Sequence, residues 1–160
     1  MTSKTVDNKQ LLVAAIKNGS VIDHITAGNA LKIIRLLNLA SHNKLVTVGL
    51  NLPSRAMKYK DLIKVEDREL TPAEVNHVAI LSPQASINII KNYNVVKKFT
   101  VTIPETIDYV ITCPNPKCIT NNEPMSSKFH VQKTKDGIKL KCHYCEKVFS
   151  QAEIKDYKAN

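Results

Sequence analysis

Four cysteines near the C-terminus constrain the folding of this 160-residue chain more than any other feature, and they are its only cysteines. Four residues separate Cys113 from Cys118, and two separate Cys142 from Cys145. Two short loops of this kind, here called knuckles, place four thiolates around one tetrahedral ion, and zinc suits that donor set best. Because four protein ligands leave no position for water, we expect one structural zinc ion and no catalytic metal.

Disulfides, buried thiols and iron in a four-thiolate cage are the alternatives to zinc. The first ten residues, MTSKTVDNKQ, lack the apolar core of a secretory signal, so we expect a cytoplasmic protein with reduced thiols. A redox pair would follow a strand of a βαβ unit, whereas Cys142 and Cys145 lie in a short lysine-rich segment. No apolar run reaches the eighteen or so residues of a membrane helix, so we expect no membrane association.

The positive charge of the chain lies mainly outside the cysteine region. The formal net charge is +9, and residues 1–100 hold 14 Lys and Arg against 7 Asp and Glu, whereas residues 101–160 hold 9 against 7. Four thiolates with one divalent ion bring the second part close to neutral. Aromatic residues make up 5% of the chain and tryptophan is absent, which disfavours a base-stacking platform. We therefore expect a small anion and a protein partner; a zinc-ribbon nucleic-acid-binding accessory protein is the alternative.

Hydrophobic periodicity predicts an α+β fold. The predicted elements are, in order, strands at 11–16 and 21–25, a helix at 30–37, strands at 45–52 and 61–65, a helix at 72–82, and strands at 85–90 and 95–103. Thr26 is the expected cap of the first helix, Thr71 and Glu74 form a capping box for the second, and Pro53 should end its strand. The order matches a ferredoxin-like split βαβ domain over residues 10–103, in which both helices cover one face of the sheet.

A polar N-terminal arm and a small C-terminal ribbon complete the predicted organisation. Residues 1–9 are expected to be a mobile arm, and residues 104–160 a small all-β zinc ribbon with a short helix at 150–157. In the larger domain, strand alternation places Lys60, Lys64, Asn88 and Ile90 on the face that the helices leave uncovered. No glycine-rich phosphate loop occurs, so lysines should hold any phosphate there.

The histidines give no sign of catalysis. His24, His42, His77, His130 and His143 fall in different predicted elements, and no nucleophile lies at a defensible spacing from a base. We therefore predict no catalytic residues and expect a non-catalytic subunit.

Six segments, in this order along the chain, resemble the regulatory chain of aspartate carbamoyltransferase from about residue 10 to residue 149. The segments are Val21-Ile22-Asp23-His24-Ile25, Gly49-Leu50-Asn51-Leu52-Pro53-Ser54, Lys60-Asp61-Leu62-Ile63-Lys64, Pro83-Gln84-Ala85 with Asn88, Asn92-Tyr93 with Val95-Val96, and Cys113-Pro114-Asn115 through Tyr144-Cys145-Glu146. The resemblance implies a nucleotide-sensing subunit of pyrimidine biosynthesis that binds CTP, UTP and ATP. It also implies a homodimer of regulatory chains and a zinc domain that contacts the catalytic chains.

The resemblance also implies residue roles. The nucleotide residues would be Val13, Ala15, Ile16, Val21, Asp23, His24, Lys60, Lys64, Asn88, Ile90, Val95 and Lys98, with the lysines at the phosphates. The contact with the catalytic chain would involve Asn115, Lys117, His143, Tyr144 and Glu146. Lys97 stands where well-known members have glycine, and it should add a charge beside the phosphate lysines.

Overall fold

A computed structural model describes residues 12–157 as two antiparallel sheets. The first sheet contains β1 (Gly19–Thr26), β2 (Val46–Ser54), β3 (Lys58–Glu66), β4 (Ser86–Lys91) and β5 (Asn94–Thr100). Its helices are α1 (Ala30–Leu36) and α2 (Pro72–Leu81). The strand order β2-β3-β1-β4-β5 is the predicted split βαβ arrangement, extended by β5 at one edge. The predicted mobile arm at 1–9 lies outside the described residues.

Alternating strand residues and the two helices form the core of the first unit. Ile22, Ile63 and Ile87 are fully buried in one cluster with Ile33 of α1 and Val78 of α2. The alternating residues of the same strands point to the other face, as strand parity predicts. The helices therefore cover one side of the sheet and leave the opposite side open.

Three details of the first unit differ from the prediction. Residues 12–16 form no strand, while Leu11 lies outside the described part, so the predicted strand at 11–16 is wrong over its described length. The N-cap of α1 is Asn29, not Thr26, and it forms no side-chain capping bond. Pro53 lies inside β2 and does not end it, because β2 is an edge strand where a missing N–H is tolerated.

The capping box of α2 is confirmed. Thr71 accepts a hydrogen bond from the Glu74 N–H, and the Glu74 carboxylate accepts one from the Thr71 N–H. Pro72 occupies the first turn, where its missing N–H has no cost. Sequence signals at this helix start were therefore sufficient, because all the partners lie within four residues.

The second sheet forms the cysteine-containing unit. Its strands, in the order β6-β7-β8-β9, are β6 (Thr106–Asp108), β7 (Lys128–Thr134), β8 (Gly137–Cys142) and β9 (Val148–Ser150). A one-turn helix, α3 (Ile119–Asn122), follows the first knuckle, so the ribbon is not purely β. The predicted helix at 150–157 is wrong beyond one 3-10 turn, Gln151–Glu153, and Tyr157 instead pairs with Ile111.

The two sheets meet at α2. The side-chain amide of Gln151 donates a hydrogen bond to the carbonyl of Ile80. Within the described residues, no helix is both long and apolar enough to cross a membrane.

Candidate functional site

The four cysteine sulfurs converge at one point between the two knuckles. All four lie within 4.8 Å of one another, with Cys113 and Cys145 separated by 3.8 Å and Cys118 and Cys142 by 3.7 Å. These separations are far too long for disulfides, and the cysteines are free. A tetrahedral zinc ion with bonds of about 2.3 Å holds its sulfurs about 3.8 Å apart. The thiols therefore fit a structural zinc ion, and the predicted metal site is confirmed as a four-cysteine metal centre.

Two asparagines that the sequence analysis missed lock the first knuckle. The Asn121 amide donates to the carbonyls of Cys113 and Asn115, both at 2.8 Å, and the Asn122 amide donates to the Cys118 carbonyl at 2.9 Å. Polar side chains directly after a knuckle are the signal that would have indicated them, since they reach back to its backbone. They fix the loop and therefore the direction of its two sulfurs.

The thiols differ in their readiness to ionise. Burial raises the pKa of the Cys113 and Cys142 thiols. Burial also raises the pKa of Cys145, but hydrogen bonds from the Lys147 N–H and the Asn115 side chain outweigh it and bring that pKa to about 7. A metal ion must therefore displace protons from buried thiols, so acid should weaken its binding.

A cavity of 430 Å³ opens on the uncovered face of the first sheet. Eight of the twelve predicted nucleotide residues line it, namely Val13, Val21, Asp23, Lys60, Lys64, Asn88, Ile90 and Val95. The other lining residues are Leu12, Leu52, Pro53 and Leu62, which the prediction missed. Leu62 lies two residues from both Lys60 and Lys64 and so shares their face of β3. Leu52 of β2 is the cross-strand partner of Lys60, so strand parity was the signal for both leucines.

An ion pair lies in the wall of this cavity. The Lys60 ammonium is 2.8 Å from the Asp23 carboxylate. Partial burial raises the pKa of Asp23, but the hydrogen bond and charge of Lys60, together with the His24 N–H, outweigh it and leave that pKa below its ordinary value. The ionised Asp23 carboxylate is therefore stabilised as a hydrogen-bond acceptor beside the Lys60 ammonium.

A second ammonium group in the cavity holds the segment that precedes β1. The Lys64 ammonium donates to the carbonyls of Val13 at 3.1 Å and Ala14 at 2.8 Å. Burial lowers the pKa of Lys64, and the charge of Asp23 partly opposes that shift. Each ammonium has three N–H donors, so Lys60 and Lys64 both retain donors for an anion.

The other four predicted nucleotide residues do not line the cavity. Lys98 is the cross-strand partner of Asn88 and so lies on the same face, while the His24 ring is 3.2 Å from the Ser86 hydroxyl. Ile16 is buried and Ala15 is exposed in the segment before β1.

The expected position of Lys97 beside the phosphate lysines is wrong. Lys97 pairs with Ile89, which faces the helices, in the same register that pairs Lys98 with Asn88. The Lys97 ammonium lies 5.2 Å from the centre of the Phe99 ring. Its charge is therefore on the opposite side of the sheet from Lys98.

The five residues predicted to contact a partner lie on the two knuckles. Lys117, His143, Tyr144 and Glu146 are exposed, and Asn115 is half-buried. The Asn115 side chain accepts a hydrogen bond from the Lys117 N–H at 3.1 Å, and Glu146 has a left-handed φ of 62° in the turn that closes the second knuckle. The metal centre thus fixes the backbone that carries this exposed group.

Comparison with known proteins matches both units to one family. Residues 11–102 match the family model described as aspartate carbamoyltransferase regulatory chain, allosteric domain, and residues 105–155 match the metal binding domain of the same chain. The regulatory chain of Photobacterium profundum is 50% identical over 94% of this chain and 96% of its own length. The regulatory chain of Tolumonas auensis is 48% identical over 94% of this chain and 97% of its own length. The chain therefore belongs to the family of aspartate carbamoyltransferase regulatory chains, which are non-catalytic subunits.

Proposed function

We propose that the cavity on the uncovered face binds the nucleotide effectors CTP, UTP and ATP, and that the chain thereby regulates the catalytic chains in cytoplasmic pyrimidine biosynthesis. The observation that carries this proposal is the composition of one 430 Å³ cavity, which combines two ammonium groups, a carboxylate, an amide and aliphatic walls. Such a mixture suits a ligand with a flat apolar base, a polar sugar and an anionic tail.

Each part of a nucleotide has a matching group in the cavity. Val21, Ile90 and Val95 offer aliphatic surface to the base. The Asn88 amide both donates and accepts, whereas the Asp23 carboxylate can only accept, from ribose hydroxyls or the cytosine amino group. The ammonium groups of Lys60 and Lys64 attract the phosphates, and Lys98 extends the positive charge toward β5.

The residues around the cavity complete the proposed site. His24 follows Asp23 directly, and the backbone N–H of His24 donates a hydrogen bond to the Asp23 carboxylate at 2.6 Å. Ala15 and Ile16 continue the segment whose carbonyls Lys64 holds. Phosphates that attract Lys64 compete with those carbonyls, so nucleotide binding and the position of this segment are linked.

The ribbon is proposed to dock the chain on its catalytic partners through Asn115, Lys117, His143, Tyr144 and Glu146. Tyr144 supports this role because the residue is 43% exposed and follows directly on the backbone of the four-cysteine centre. The first unit is proposed to form a homodimer of regulatory chains. β2 supports that role as an edge strand with an exposed leucine, Leu50, since an edge strand offers unpaired backbone groups to a second copy.

Lys60→Ala is the experiment that tests the nucleotide site. The change removes one phosphate donor and leaves Asp23 as an unpaired negative charge, so we expect CTP and ATP to bind about tenfold or more weakly, since hydrogen bonds to charged groups contribute about 1.5–3 kcal/mol. Calorimetry on the purified chain measures the affinity, and sedimentation with catalytic chains should show unchanged assembly.

Lys97→Ala is the matched control. It removes the same charge from the other side of the sheet, where solvent and salt screen it from the cavity. Nucleotide affinity should therefore stay within about twofold of that of the unchanged chain. Equal affinities in Lys60→Ala and the unchanged chain would refute the assignment of Lys60. Equal losses in both variants would reduce it to a general charge effect and also refute the site.

A further inference from the structure

Two histidines form a close pair on the second sheet, outside the four-cysteine centre. The Nε2 atom of His130 is 2.9 Å from the Nδ1 atom of His143, and the ring centres are 5.1 Å apart. His130 is half-buried and His143 is exposed. We propose that this pair is a second metal site, which binds a divalent ion of octahedral or tetragonal preference, namely Ni²⁺ or Cu²⁺.

The nitrogen separation, itself a hydrogen-bond distance, also fits two neighbouring positions of an octahedral or square-planar ion. With metal–imidazole bonds of about 2.0–2.1 Å, nitrogens 2.9 Å apart subtend an angle of about 90° at the metal. That angle joins neighbouring positions of an octahedral or square-planar ion, whereas a tetrahedral ion would hold the two nitrogens about 3.3 Å apart. Ni²⁺ and Cu²⁺ favour the former arrangements with imidazole ligands.

The backbone holds both histidines in place before any ion binds. His130 lies within β7, between its partners Thr106 on β6 and Lys141 on β8. The His143 backbone N–H donates to the Lys128 carbonyl at 2.8 Å, and the His143 and Tyr144 rings pack in a T-shaped arrangement with ring centres 5.1 Å apart and an interplanar angle of 88°. Only the rings have to turn for both lone pairs to point at one ion, so the ordering cost of binding is small.

The chemistry of the pair requires one proton shift and leaves room for water. In the observed hydrogen bond, one of the facing nitrogens carries the proton. Metal binding needs that proton on the other nitrogen of the same neutral ring, which is a change of tautomer with no change of charge. The exposure of His143 leaves the remaining coordination positions to water. Lys141, opposite His130, repels a cation and limits the affinity.

Donor type separates the two sites. Four thiolates favour zinc, whereas two imidazoles with water also suit Ni²⁺ and Cu²⁺. The second site therefore does not need an empty cysteine centre, and it predicts one additional ion in a zinc-loaded chain. Docking of a catalytic chain is not required, so the proposal stands apart from the proposed function.

The test uses zinc-loaded full-length chain without a polyhistidine tag, titrated with Ni²⁺ by calorimetry near neutral pH. We expect one Ni²⁺ per chain with no release of zinc, which a colorimetric zinc chelator monitors. His130→Gln and His143→Gln should each weaken Ni²⁺ binding by roughly tenfold or more, because losing a ligand costs at least as much as losing the group that orients one. His42→Gln, which removes an exposed histidine from the first unit, should change nothing.

A second measurement keeps the proposal testable if a variant folds poorly. Pulsed electron paramagnetic resonance on the unchanged chain, with less than one equivalent of Cu²⁺, should show two imidazole nitrogens on the copper. One imidazole or none would overturn the proposal. Release of one zinc ion for each Ni²⁺ bound, or full Ni²⁺ affinity in either glutamine variant, would overturn it as well.

Discussion

Asp61→Ala tests whether one buried carboxylate positions the wall of the cavity proposed to bind nucleotides. Asp61 is fully buried in β3. One of its oxygens accepts hydrogen bonds from the N–H groups of Gly28 at 2.9 Å and Ala30 at 3.2 Å, and the other accepts one from Asn51 at 3.0 Å. The same side chain thus caps α1 and holds the irregular part of β2, which leads directly to Leu52 at the cavity.

The expected loss in the free energy of unfolding is about 3–5 kcal/mol, because hydrogen bonds to a charged group contribute about 1.5–3 kcal/mol each. The energies of three hydrogen bonds to a charged acceptor would sum to more than this. Gly28 and Asn51 are exposed, however, so water can replace Asp61 as the acceptor of their N–H groups. The Ala30 N–H is buried and would be left without an acceptor. Asp61→Asn keeps a single acceptor oxygen, so we expect an intermediate loss, about 2 kcal/mol.

Urea unfolding of the zinc-loaded chain, followed by circular dichroism, measures the loss. Hydrogen exchange by mass spectrometry should show the largest increase around residues 28–30 and 51–53. Glu69→Ala is the control, because it removes a carboxylate from an exposed ion pair with Lys91 and should cost no more than about 1 kcal/mol. A loss below about 1 kcal/mol for Asp61→Ala, or uniform exchange across the sheet, would refute the role of Asp61.

Two further predictions concern the metal centre and the ion pair. Cys142→Ser should remove zinc and prevent assembly with catalytic chains in sedimentation, while the first unit still dimerises; a variant that assembles would contradict the structural role of the metal. Asp23 has a pKa below its ordinary value of 3.8, so its contribution to stability is present above that pH and is lost as the pH falls through the folded-state pKa. The difference in unfolding free energy between the unchanged chain and Asp23→Asn should therefore shrink as the pH falls below 3.8; a difference constant with pH would refute the pairing with Lys60.

Features whose partners are close in sequence, or fixed by alternation, were predictable. The cysteine spacing specified the metal centre, and the four residues from Thr71 to Glu74 specified the start of α2. Alternation along β3 and β4 placed Lys60, Lys64 and Asn88 around one cavity, because side chains two residues apart share a face.

Features that depend on bulges or distant contacts were not predictable. The pairing register shifts between Ile22 and Ile25 in β1 and between Ile89 and Ile90 in the pairing of β4 with β5. The second shift places Val95 and Lys98 on the same face although they are three residues apart, whereas Lys97, as the neighbour of Lys98 in a strand, points to the other face. The capping of α1 by Asp61 joins residues about thirty positions apart, so no local pattern at Thr26 or Asn29 could reveal it.

The contacts between the two sheets give the regulatory role a physical basis. β1 carries Asp23 at the cavity and ends at Thr26, whose N–H donates to the Ser82 hydroxyl at 3.1 Å, directly after α2. The same helix accepts the hydrogen bond from Gln151 of the ribbon at Ile80. A nucleotide shifts the quaternary equilibrium only to the extent that it binds two arrangements of these elements unequally. α2 therefore contacts both the strand that lines the cavity and the unit that holds the metal, and it is the element that connects the proposed nucleotide site with the ribbon.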